Sequence, residues 1–180
     1  MRSLLLVSAL VLCACPERPP PEEEADSGIS GDPLWADGSM EVGTQVSDLV
    51  PTFEPMPASM ELHPGAQGGF HVPVMYRITG HTQAGATVEH RVRRSRDGVL
   101  VSRGSRAFDI AADGGSWTTE EPVTIFMCPT PVGVSVAGED LTFEITVIRG
   151  NGVLLTRATA KTRLLCPASN QAFCESICKG

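Results

Sequence analysis

Hydrophobic and polar residues alternate along most of the chain beyond residue 40. Phe70, Val72, Val74, Tyr76 and Ile78 alternate with His71, Pro73, Met75, Arg77 and Thr79, the period-two pattern of a half-buried strand. Val88, His90 and Val92 alternate with Glu89, Arg91 and Arg93, and Arg96-Asp97-Gly98 then supplies a hairpin turn before Val99, Leu100 and Val101. Short strands are expected around Phe108 and Ile110 and from Val123 to Met127. The clearest pattern sets Leu141, Phe143, Ile145 and Val147 against Thr142, Glu144, Thr146 and Ile148; a turn at Gly150-Asn151-Gly152 leads back through Val153 to Leu165. With short segments over 41–46 and 59–63, about seven to eight strands and little helix predict an all-β, antiparallel sandwich. An immunoglobulin-like arrangement is the expectation, without the central Trp and flanking cysteines of antibody domains. Pro73 lacks a ladder donor, so its strand should lie at a sheet edge or carry a bulge there.

The start of the chain has a different character. Met1 and Arg2 precede the apolar run Leu4–Leu12, which has the length of a signal-peptide core. No apolar run reaches the roughly 20 residues of a spanning helix. Leu12-Cys13-Ala14-Cys15, followed at once by Pro16 and Glu17, resembles the lipobox of bacterial lipoproteins. The resemblance implies a signal peptide over 1–14, an acylated Cys15, and attachment to the membrane through that N-terminus. Cys13 would leave with the signal peptide. The expected location is the bacterial cell envelope, as an outer-membrane lipoprotein facing the periplasm or the surface.

Residues 15–39 then read as a lipidated tether. Pro19-Pro20-Pro21, Glu22-Glu23-Glu24 and Asp26 favour an extended, self-repelling chain. At about 3.1 Å per residue such a spacer reaches up to roughly 70 Å. The sandwich is expected over 40–165 and a Cys-containing tail, packed on it, over 166–180. Gly65-Ala66-Gln67-Gly68-Gly69-Phe70-His71-Val72 and Met40-Glu41-Val42-Gly43-Thr44 are similar to segments of immunoglobulin-like lipoproteins of high-GC Gram-negative bacteria. That resemblance implies the architecture and no activity.

Six cysteines fit an oxidising compartment. Beyond the lipobox, Cys128, Cys166, Cys174 and Cys178 remain, and four cysteines allow three pairings. Cys128 and Cys166 end strands running the same way, so both fall at one pole, and the favoured pairing is Cys128–Cys166 with Cys174–Cys178. Their spacing lacks the two close pairs of a structural zinc site.

The 180-residue chain has a formal charge of −7, which argues against a nucleic-acid partner. There is no nucleophile elbow, zinc-protease motif or phosphate loop, so neither an enzyme nor a cofactor is expected. His63, His71, Met56, Met60 and Met75 raise the alternative of a copper carrier. His71 and Met75 share a strand face but stand roughly 13 Å apart, too far to hold one ion, so no metal site is expected. His90 should point to the core as a structural residue. The one basic concentration runs from Arg91 to Arg106. Arg91, Arg93, Arg94 and Arg96 form either a solvated face or a patch for an acidic envelope polymer, lipid headgroup or envelope protein. The leading expectation is thus a non-catalytic binding or structural module, with a metal carrier and an unrecognised hydrolase as alternatives.

Overall fold

The computed structural model describes residues 39–45, 52–80, 83–110 and 116–180. The chain divides into two units, Met1–Gly31 and Asp32–Gly180. The described residues all belong to the second unit, and the expected leader, Cys15 and the acidic tether up to residue 38 lie outside them. No helix among the described residues is long and apolar enough to cross a membrane.

The second unit is an all-β sandwich closed by one short helix. Its strands are β1 (Ser39–Gln45), β2 (Phe53–Pro55), β3 (Ser59–Glu61), β4 (His63–Pro64), β5 (Phe70–Thr79) and β6 (Gln83–Arg94). They continue with β7 (Leu100–Ile110), β8 (Ser116–Thr118), β9 (Val123–Cys128), β10 (Asp140–Ile148) and β11 (Leu154–Leu165), and α1 spans Gln171–Cys178. In one sheet β5 is central, pairing with β1, β4, β8 and β9, and β2 lies beyond β1; the other runs β3-β11-β10-β6-β7. All pairings are antiparallel except the short β3–β11 contact. The chain changes sheet between β5 and β6, returns after the β6–β7 hairpin, and crosses again between β9 and β10, the Greek-key connectivity of the immunoglobulin-like class.

Alternation decides which side chains form the core. Leu141, Phe143, Ile145 and Val147 of β10 are fully buried and face Val72, Val74, Tyr76 and Ile78 of β5 across the sandwich interior. Each such side chain contributes about 1.5–3 kcal/mol by leaving water. β7 departs from expectation: the two short strands near 99–101 and 108–110 are the ends of one strand. Its middle, Arg103 to Ala107, is polar and largely exposed because β7 is an edge strand.

Pro73 sits in a central strand and not at the sheet edge. On one side, β4 pairs with β5 at Phe70 and His71 and β1 pairs from Met75 onward, so residues 72–74 face a gap. The missing donor falls in that gap, where the Thr44 hydroxyl donates to the Pro73 carbonyl at 2.9 Å. The bulge in the β5–β9 ladder lies at Phe70/His71 instead.

The cysteine pairing also differs from expectation. Cys128 bonds to Cys178 and Cys166 to Cys174, with Cα separations of 5.3 and 5.7 Å. The favoured alternative would have required a bond within α1. Helix positions four apart hold their Cβ atoms about 5–6 Å from each other, against about 3.8 Å in a disulfide. Cys174 and Cys178 instead share the buried face of α1, and each reaches the end of a strand in a different sheet. The helix is further held by the Thr130 and Val136 N–H groups, which donate to the carbonyls of Ile177 and Cys178. Phe173 packs on Phe70.

The two bridges close spans of 50 and 8 residues. On chain-entropy grounds, these are worth about 4 and about 2.5 kcal/mol. Urea unfolding should therefore show C128A/C178A to be more destabilising than C166A/C174A; equal losses would contradict this assignment of the long-range staple.

Candidate binding face and cleft

The four expected patch residues separate along β6. Side chains alternate across a strand, so Arg91 and Arg93 point out from the sheet while Arg94 points in. Arg94 is 6% exposed. Its Nε donates to Asp97 Oδ1 at 3.0 Å, its Nη2 to Asp97 Oδ2 at 2.7 Å, and its Nη1 reaches the Ser135 carbonyl at 3.5 Å. The bonds from Arg94 hold the Asp97 carboxyl below the usual carboxylate range. Arg94 therefore closes the β6–β7 loop and leaves the patch. Arg96 lies in the turn and pairs with Glu139 at 3.1 Å.

Strand register supplies other members. Arg91 stands directly opposite Arg103 on β7 and Glu144 on β10. Arg93 lies opposite Thr142, and its Nε approaches Glu144 at 3.7 Å. Farther across the same outer face, β11 contributes Lys161 opposite Thr142 and Arg157 opposite Thr146. Arg163, opposite Asp140 and paired with it at 2.8 Å, lies on the same face, so six cations stand there with Glu89, Asp140 and Glu144 as the acidic residues on β6 and β10. Arg103 belongs to the basic concentration read from the sequence, although its place opposite Arg91 was not; Arg157 and Lys161 were not assigned to the patch, although the alternation of β11 marks both as outward-facing.

Beside this face, a cleft of about 380 Å³ opens between β7 and β9. Tyr76, Val88 and Val123 line its apolar part, with His90, Ser102, Arg106 and Phe126 among the remaining lining residues. Burial pushes the Tyr76 hydroxyl pKa up, against the opposing effect of Arg106, so the phenol remains protonated at neutral pH. Burial lowers the His90 pKa, so its ring is neutral at pH 7. His90 points inward, as its strand position predicts, and its ring rests over Gly104 of β7. A Cβ at Gly104 would come within 2.6 Å of His90 Cε1.

Trp117 packs edge-on against Phe108, with centroids 5.4 Å apart, while Trp35 lies outside the described residues. The phenylalanine rings exposed among the described residues are Phe126, at 66%, and Phe173, at 50%. Phe126 stands opposite His71, which in turn stands opposite His63. This row crosses β4, β5 and β9 and joins two histidines that lie eight positions apart along the chain. Met75 is fully buried, and Met56 and Met60 pack against the core.

No family model and no curated protein matches the chain. Several solved structures align in part, among them two glycosidases. Bacteroides uniformis beta-glucuronidase matches with 13% identity and a TM-score of 0.39, over 69% of this chain and 13% of that one. Bifidobacterium dentium beta-glucuronidase complexed with coumarin-3-O-glucuronide matches with 12% identity and a TM-score of 0.34, over 72% of this chain and 18% of that one. The chain thus spans only a small part of either protein.

The contact between Gly104 and His90 makes a direct prediction. Gly104→Ala should cost about 1–3 kcal/mol through overpacking, and His90→Ala in the same chain should remove most of that added cost. Strictly additive losses in urea unfolding would contradict the close approach.

Proposed function

We propose that this protein is a lipid-anchored, non-catalytic binding module of a bacterial envelope, whose ligand is an anionic polymer held on the outer face of β11-β10-β6-β7. The lipobox-like segment supports attachment through an acylated Cys15, and the mass of the N-terminal peptide tests it. The two disulfides fit an oxidising compartment outside the cytosol. The expected patch is redrawn: Arg91 and Arg93 remain, Arg94 and Arg96 serve the loop, and Arg103, Arg157 and Lys161 join.

One observation carries the choice of ligand. Like charges directly opposite each other weaken an antiparallel pair, by about 0.2–1 kcal/mol. Arg91 and Arg103 form such a pair, with Glu144 shared between Arg91 and Arg93 on the other side. A polyanion lying across the strands relieves this repulsion and releases its own counterions, so its binding weakens steeply with salt. The flat face suits a polymer better than a small molecule, and the ligand's contacts need no cofactor. The neighbouring cleft has no carboxylate or thiol among its lining residues; beside His90 its polar groups are the hydroxyls of Tyr76, Ser102, Ser105 and Thr124 and the guanidinium groups of Arg103 and Arg106.

Heparin serves as the probe. Arg103→Glu places a carboxylate opposite Arg91, and thermal melting checks that the variant is folded. The same substitution should weaken heparin binding about tenfold. Undiminished binding in a folded Arg103→Glu protein would overturn the proposed face.

A further inference from the structure

His63 and His71 are cross-strand neighbours in the β4–β5 pair. Their ring centroids are 6.0 Å apart and their planes are inclined by 53°. Backbone contacts fix both residues. The preceding Leu62 is fully buried, and its N–H donates to the Leu165 carbonyl at 2.8 Å; the following Pro64 pairs with Phe70. His71 lies in the central strand, between β4 and β9.

The separation is close to what two imidazoles need around one ion. With metal–nitrogen bonds of about 2.0 Å, ring centroids lie about 4.5 Å apart at adjacent positions of the square-planar geometry that copper(II) favours and about 6.3 Å apart at opposite ones. Small side-chain rotations cover the difference. His71 Nδ1 is also buried without a hydrogen-bond partner, a condition that calls for an explanation in a native structure. Gly65 lies beside it: even a Cβ there would come within 3.5 Å of that nitrogen. Burial, and secondarily His63, lower the His71 pKa, which keeps a lone pair available at neutral pH.

We propose that His63 and His71 form a two-imidazole site for a divalent transition-metal ion, with copper(II) bound most tightly. The preference comes from the ligands. Imidazole suits copper(II), which heads the divalent affinity series, whereas copper(I) favours thioethers. Met75 is fully buried and Met56 and Met60 pack against the core, and the two imidazoles are the protein donors the site uses. Among the described residues, no group of three His, Cys, Asp or Glu side chains is placed to hold an ion. Water or an external ligand therefore completes the coordination, which makes the ion exchangeable. The proposal departs from the expectation of no metal site, which weighed His71 with a methionine on its own strand and not with a histidine on the next. It stands independently of the polyanion reading, because it uses the opposite sheet.

The test is titration of the full, disulfide-intact chain with copper(II) at pH 7.5, read by calorimetry and by electron paramagnetic resonance. One ion per chain should bind, with a spectrum showing two coordinated imidazole nitrogens. His63→Ala and His71→Ala should each lower affinity at least tenfold, while His90→Ala changes it less than twofold. Thermal melting verifies the fold, and should His71→Ala not fold, the more peripheral His63→Gln decides. No binding by the wild-type chain, or binding unchanged without His63, overturns the site.

Discussion

At one pole of the sandwich, the two sheets end on a common helix. Cys174 and Cys178 lie one turn apart on its buried face, with their sulfurs 3.8 Å from each other. One is bonded just beyond β11 and the other at the end of β9, so each sheet is tied covalently to the same eight residues. The β9–β10 crossover and the β10–β11 hairpin lie within the span closed by the longer bridge. Core burial drives the sheets together, but burial is non-directional. The bridges fix where one sheet ends relative to the other.

Both candidate sites depend on that alignment at one remove, because both are features of register. The basic face exists only because Arg91 falls opposite Arg103 and Glu144, and the histidine pair only because His63 falls opposite His71. A slip of one residue would turn either set of side chains to the other face. Functional groups on paired strands are held more firmly than groups on loops, which suits sites that must be preorganised. The two sheets present different chemistry: cations on one, and two imidazoles with an exposed phenyl ring on the other.

The parts of the fold that alternate strictly were legible in the sequence. β10 and β11 bury one face, so their patterns report their structure directly; β5 alternates in the same way but also buries Pro73 and Met75 on its other face. The middle of β7 was hidden because an edge strand with polar residues on both faces has no such pattern. β2 and β8 were too short to show one. The inward turn of Arg94 conflicts with the usual exposure of arginine, and it became intelligible only with Asp97 and Ser135 in place. Arg103 was missed as the partner of Arg91 because the hairpin closes around residues 95–98 and then carries an irregularity at Val92/Arg93. Loop length and bulges reset register without leaving a mark in the hydrophobic pattern. The histidine pair was missed for a related reason: distance along one strand was considered, and pairing between strands was not.

The sulfur connectivity is the covalent constraint on the relative placement of these strands. Mass spectrometry of proteolytic fragments from unreduced protein, isolated from its native cells, reads it directly. The account predicts linked fragments joining Cys128 to Cys178 and Cys166 to Cys174. Recovery of Cys128 bonded to Cys166, or of all four as free thiols, would contradict it.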